Sequence, residues 1–186
     1  MRITTRALAG TTILAALVVV FDYTLKYSGM KIPFPWFPFL KFDFTGIPIV
    51  LSLLFFGLVP GFFTSAVAFV AILSRSGDFV GSSMKSLAEF STVFGIFLGL
   101  KMVKRFRLFA SFSFGIASRV MLMMCVNLAL IYTGLILVPQ SYSEIPLVVV
   151  LFTGVFNVIQ GTISVIGGYL IYRVITERVP SVSENM

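Results

Sequence analysis

Histidine is absent from this 186-residue chain, which removes the commonest general base, proton shuttle and metal ligand. Cysteine occurs once, as Cys125, so no intrachain disulfide and no cysteine-based metal site can form. Charge is scarce as well: Asp, Glu, Lys and Arg make up 11% of the residues, against about 25% in soluble domains. So little charge cannot cover a water-exposed surface, which excludes a soluble enzyme. The 58% hydrophobic content and the mean hydropathy of +1.04 exclude intrinsic disorder. A GxxxxGK[ST] phosphate loop is also missing, and Gly77 and Gly81 have no lysine in the required place, so the chain does not hydrolyse ATP by that route.

What is present is apolar sequence in long runs. At about 20 residues per membrane-spanning helix, the length accommodates roughly six short-looped spans and no sizeable soluble domain. The chain therefore reads as an all-α, polytopic protein of the cell membrane, a single transmembrane domain over residues 1–186. The first span is expected over Ala7–Lys26. Arg2 and Arg6 ahead of it resemble a signal peptide, but the apolar run is longer than a signal core and no small-x-small cleavage site follows, so it reads as retained.

Ser28–Asp43 carries Pro33, Pro35 and Pro38, which preclude a continuous helix. Extended chain cannot cross lipid with its backbone groups unsatisfied. This segment is expected to lie over the protein at the interface, with Phe34, Trp36, Phe37 and Phe39 turned into apolar surroundings. A short second span follows over Phe44–Phe56, then a tight turn at Gly57–Gly61 and a third span ending near Leu73. Ser74–Ser83 reads as a polar break. The fourth span covers Met84–Leu100, the fifth Phe109–Val138 up to Pro139, and the sixth Pro146–Ile175.

The net charge of +7 fits basic cytoplasmic loops better than a nucleic-acid surface. Both termini are placed on the cytoplasmic side, together with Arg2, Arg6, Lys101, Lys104, Arg105, Arg107, Arg173 and Arg178. Lys26, Lys31, Lys41, Arg75 and Lys85 then lie outside, along with Asp22, Asp43, Asp78 and Glu144.

Polar side chains inside lipid are costly and either pair or bind something. Arg119, Met123 and Asn127 are spaced four apart on one helix face, and Asn157 and Gln160 share another. Each has a structural reading: amides bond neighbouring helices, Arg119 snorkels toward the cytoplasmic surface, and Lys85 pairs with Glu89 one turn on. The functional reading is that two helices present groups able to donate and accept at once, which suits an uncharged heterocycle with adjacent carbonyl and N–H groups. The aromatic, proline-stiffened loop then acts as a lid. Nothing in the sequence suggests catalysis or a cofactor.

The stretches FPFLKFDFTGIP (Phe37–Pro48), FFGLVPG (Phe55–Gly61), NLAL from Asn127 and FNVIQG (Phe156–Gly161) stand in order along the chain. They resemble L-K-x-D-F-S-D-I-P, F-G-P-x-x-G, N-Y-x-x-L and F-N-x-x-K-G runs of a known family. This family is the substrate-binding (S) components of energy-coupling factor (ECF) vitamin transporters, and its riboflavin-uptake members are the most similar. The resemblance implies a six-helix membrane bundle that captures riboflavin, as transported substrate, from outside. Delivery is by a transmembrane coupling subunit and two cytoplasmic ATPase subunits. By position, Asn127 and Asn157 match residues that contact the flavin ring, Lys41 and Asp43 match a loop motif beside the pocket, and Thr12 and Ala16 take the places of small residues that face the coupling subunit. Three positions depart from the pattern. Gln160 stands where the family has lysine, Gly46 where it has a second acid, and Thr12 where it has alanine. The first puts the identity of the vitamin in question.

Overall fold

The computed structural model describes residues 4–103, 106–135 and 146–178. Among these residues are six helices and one two-stranded hairpin: α1 (Thr5–Tyr27), β1 (Ile32–Pro33), β2 (Lys41–Phe42), α2 (Gly46–Phe56), α3 (Leu58–Ser76), α4 (Phe79–Met102), α5 (Arg107–Tyr132) and α6 (Pro146–Arg178). Arg2, Lys104, Arg105, Pro139 and Glu144, used above to orient the chain or to end a span, lie outside the described residues.

Local chemistry sets the helix boundaries. Thr4 opens α1 by accepting from the Ala7 N–H at 3.2 Å. Gly57, at φ 94°, is the whole turn between α2 and α3. Pro60 belongs to the first turn of α3, where its missing N–H costs nothing. The expected polar break at Ser74–Ser83 shrinks to two residues. Gly77 ends α3 in the left-handed conformation, and Asp78 caps α4 through a bond from the Gly81 N–H at 2.9 Å. The flanking serines are helical because their hydroxyls bond back to backbone, as Ser82 does to the Asp78 carbonyl at 2.6 Å. The fifth helix ends at Tyr132, ahead of its expected limit, with Gly134 at φ 70° in the turn that follows.

Four helices, α1, α3, α5 and α6, are long and apolar enough to cross a membrane. With 24 residues, α4 has the length, about 36 Å at 1.5 Å per residue, but carries Lys85, Glu89 and Lys101. With 11 residues, α2 reaches only about 17 Å, well short of a hydrocarbon core about 30 Å thick. The expected second span is therefore a half-length helix, and α3 folds back along it after the Gly57 turn, with the Thr64 hydroxyl donating to Ser52 Oγ at 2.9 Å.

Helix contacts follow the small residues. A Cβ built on Gly95 would strike the Phe114 carbonyl, and one on Gly99 the backbone of Ser111, so α4 and α5 approach backbone to backbone. This small-xxx-small spacing replaces the hydrophobic driving force that lipid does not provide. A buried cluster of Val18, Ile49, Val50, Leu53, Val93, Ile96 and Val165 joins α1, α2, α4 and α6.

The proline segment forms the hairpin, with Ile32 opposite Phe42 and Pro33 opposite Lys41. Its expected aromatic burial is only half right: Phe34 and Phe37 are 1% exposed, whereas Trp36 is 51% and Phe39 59% exposed. Tight turns between Phe34 and Leu40 place alternate rings on opposite sides. Phe34 and Phe37 pack with Val149 and Phe156 of α6, while Trp36 lies flat against Phe152 with ring centres 5.5 Å apart. Such ring pairs are worth about 0.5–1.5 kcal/mol beyond area burial, which binds the hairpin to α6.

Candidate functional site

The hairpin, the C-terminal ends of α1 and α3, the N-terminal half of α4 and the facing parts of α5 and α6 enclose a cavity of about 380 Å³. Lys41, Asp43, Asn127, Asn157 and Gln160, the five residues singled out in the sequence, all line it. Arg119 and Met123, on the same helix face as Asn127, line it as well, and so do Phe156 and four charged residues that the sequence did not group with them, Asp22, Lys31, Arg75 and Lys85.

Asp43 is the junction of the site. It is 4% exposed, and its Oδ1 accepts from the Thr45 N–H at 3.2 Å and the Thr45 hydroxyl at 2.7 Å, closing the turn into α2. Its Oδ2 pairs with Lys85 of α4 and lies 3.7 Å from Lys31 Nζ. Its backbone is held from α6: the Asp43 N–H donates to Gln160 Oε1 at 3.3 Å, and its carbonyl accepts from Gln160 Nε2 at 2.8 Å. The Gln160 amide thus bonds the peptide at both ends, as a neighbouring strand would. Lysine has donors only and could not make this pair. Gln160 is a clamp on the hairpin, with one N–H left over.

The two asparagines differ in their freedom. Asn157 Oδ1 accepts from Arg119 Nε at 3.0 Å, and its Nδ2 donates to the Thr153 carbonyl at 2.9 Å. Asn127 Nδ2 donates to the Met123 carbonyl at 2.7 Å. Its carbonyl oxygen has no partner among the described residues, which leaves an acceptor on the cavity wall.

Arg119 does not snorkel. It is 3% exposed, and its Nη1 lies 2.9 Å from Oε1 of the fully buried Glu89 and 3.2 Å from the Thr92 hydroxyl. The geometry toward Glu89 is electrostatic rather than a well-formed hydrogen bond, since neither carboxylate oxygen has an aligned donor among the described residues. A guanidinium this deep is held by pairing, because the opposite charge sits on the adjacent helix and the water surface is about three turns away. Nor does Lys85 pair with Glu89 along its own helix; it reaches Asp43, and Glu89 takes Arg119.

The departure at Gly46 has a structural cause. A Cβ there would run into Ser164 Oγ and Glu89 Oε2. A side chain at 46 would force the Ser164 side chain and the Glu89 carboxylate aside, and an acid would add a second carboxylate against Glu89.

A group missed in the sequence completes the wall. Asp22, 1% exposed, takes Lys31 Nζ at 2.5 Å on one oxygen and Arg75 Nε at 2.7 Å on the other. The signal was an acid inside an apolar run, which lipid does not tolerate unpaired. Among the described residues no group of three or more potential metal ligands is found. Thr12 and Ala16 stand apart from the cavity on an exposed face of α1, where the Thr12 hydroxyl bonds back to the Leu8 carbonyl at 2.9 Å.

No known family profile matches the chain, and no curated protein matches it. Among solved structures it is similar to the S component of a bacterial ECF transporter, with a TM-score of 0.76 and 22% sequence identity over 94% of this chain and 97% of that one. At this identity the similarity establishes the fold, a helical arrangement of S-component type.

Proposed function

We propose that the chain is the substrate-binding subunit of a vitamin uptake transporter, with riboflavin as its ligand. The observation that carries this reading is the cavity: five residues chosen from motif positions in different parts of the chain line a single enclosure. Its volume, about 380 Å³, falls within the roughly 300–1,000 Å³ of ordinary ligand pockets. The free acceptor of Asn127 and the remaining N–H groups of Asn157 and Gln160 suit a heterocycle that alternates donors and acceptors, and Phe156 offers a ring face beside them. The chain binds and hands over; it does not catalyse.

All six helices belong to the membrane domain, with both termini cytoplasmic and the hairpin as outer lid. Import is driven by a transmembrane coupling subunit and two cytoplasmic ATPase subunits, docking through the face of α1 that carries Thr12 and Ala16. Small residues there permit close helix approach. Thr12→Trp should abolish uptake by cells while leaving ligand binding to the purified protein unchanged. Undiminished uptake would remove that face from the interface. An S component for another heterocyclic vitamin and a non-transporting scaffold are the competing readings. Riboflavin fluorescence separates the three: the purified protein should quench it at submicromolar ligand, a different vitamin carrier should be stabilised to heat by its own vitamin alone, and a scaffold by none.

A further inference from the structure

The hairpin, α1, α3 and α4 supply a charged wall of the cavity, while α5 and α6 supply an amide wall of Asn127, Asn157 and Gln160. We infer that Arg119 sets what the amide wall selects: by holding the Asn157 oxygen it leaves Asn157 only an N–H for the ligand, so the ligand presents a neutral acceptor, a ring carbonyl, to α6. This rests on reading the cavity as the ligand site. The two asparagines supply the comparison. Each donates its Nδ2 to the backbone carbonyl four residues earlier, Asn127 to Met123 at 2.7 Å and Asn157 to Thr153 at 2.9 Å. They differ at the oxygen. That of Asn127 has no partner among the described residues, whereas that of Asn157 takes Arg119 Nε at 3.0 Å. Both contacts of Asn157 run one way, since a guanidinium only donates and a peptide carbonyl only accepts, so its amide cannot turn over. Gln160, on the same helix, is fixed likewise by the N–H and carbonyl of Asp43. From α6 the cavity is therefore offered one N–H from each of two amides.

Arg119 is itself locked in place. Its Nη1 lies 2.9 Å from Glu89 Oε1 and 3.2 Å from the Thr92 hydroxyl, both on α4. One planar group from α5 thus engages α4 and α6 together, which the point charge of a lysine cannot reproduce. Gly161 makes room for it: a Cβ there would stand 3.2 Å from Arg119 Cδ, which gives the last glycine of the FNVIQG run a purpose. Two apolar residues would join α4 to α5 as well as a buried ion pair does. What they would lack is the donor to Asn157. Glu89 also balances the guanidinium charge, so the acceptor that Arg119 selects is an uncharged one. A cyclic amide or imide meets the requirement, whereas a ring that turns an amino group toward α6 sets donor against donor.

The test uses the full chain in detergent. Selective nitrogen-15 labelling of asparagine gives side-chain amide signals from Asn127, Asn157 and Asn185 alone. Arg119→Lys keeps a charge beside Glu89 and should displace the Asn157 signal while leaving that of Asn127 in place. Arg119→Met combined with Glu89→Gln removes both charges together and should do the same, even if Arg119→Lys fails to fold. The second readout is discrimination between riboflavin and analogues in which one or other ring carbonyl oxygen is replaced by sulfur, a weaker acceptor. The unaltered chain should bind at least one analogue about tenfold more weakly than riboflavin, the worth of about one hydrogen bond. Both variants should shrink that ratio to about twofold. A ratio kept in full by the variants, or Asn127 and Asn157 signals displaced alike, shows that Arg119 only packs the helices and overturns the inference. An unaltered chain that binds the flavins without telling them apart overturns it as well, and leaves the flavin reading intact. If no flavin binds, the flavin reading fails and the amide signals alone decide: displacement confined to Asn157 upholds the role of Arg119, and an unmoved Asn157 overturns it.

Discussion

The charged and amide walls of the cavity solve the same problem, polar groups inside lipid, in different ways. On the charged wall the buried carboxylates are committed: Asp22 and Asp43, and Glu89 behind the wall, are each 4% exposed or less and each holds at least one cation. On the amide wall Asn127 and Asn157 donate to carbonyls one turn back on their own helices, while Gln160 reaches across to the Asp43 peptide. Cross-helix ion pairs fix where helices stand, whereas one-turn amide bonds merely park a side chain and leave it free to meet a ligand. The ion pairs therefore hold the wall together, and the two asparagines keep polar atoms turned to the cavity. Arg119 belongs to both, pairing with Glu89 behind and orienting Asn157 in front.

Substitutions sharpen that contrast in order of size. Arg119→Leu leaves Glu89 buried and unpaired, and should cost about 3–5 kcal/mol of stability, read as a large fall in the unfolding midpoint of the detergent-solubilised protein. A midpoint near that of the unaltered chain would mean that the pair does not hold α4 to α5. Asp43→Ala removes the Lys85 pair and both bonds to Thr45, and should cost about 2–3 kcal/mol as the hairpin and α2 come adrift. Protease sensitivity should rise in the hairpin first; a hairpin as resistant as before would mean that Gln160 and the buried rings hold it alone. The smallest structural effect is expected for Asn127→Leu, about 0.6 kcal/mol, the typical worth of such a bond in membrane helices. Its ligand affinity should nevertheless fall by about 1–3 kcal/mol, through the lost acceptor. A large stability loss with unchanged affinity would move Asn127 from the reading side to the holding side.

Much of the fold was legible in the sequence because lipid imposes simple rules. Apolar runs, Gly57 and the proline segment marked the helices and their order. The boundaries around Ser74–Ser83 were not, because serine in a helical bundle bonds to the carbonyl a turn earlier and is indistinguishable by type from serine in a loop. The candidate site was half legible. Residues on the α5 and α6 faces announced themselves by helical spacing, and all lie on one cavity. The ion pairs were hidden, since the spacing rule pointed to Lys85–Glu89 within α4, whereas the pairs form across helices, between residues far apart in the chain. The clamp of Gln160 on Asp43 was equally invisible. It depends on an amide meeting a peptide 117 residues away.

Whether this cavity takes a flavin through its amide wall decides the proposed assignment. The most direct measurement is a riboflavin fluorescence titration of the purified chain beside its Asn157→Leu variant. Submicromolar quenching by the unaltered protein, weakened by roughly tenfold or more in the variant, is the predicted result. Absence of quenching by the unaltered protein, or equal affinity in both, would contradict it.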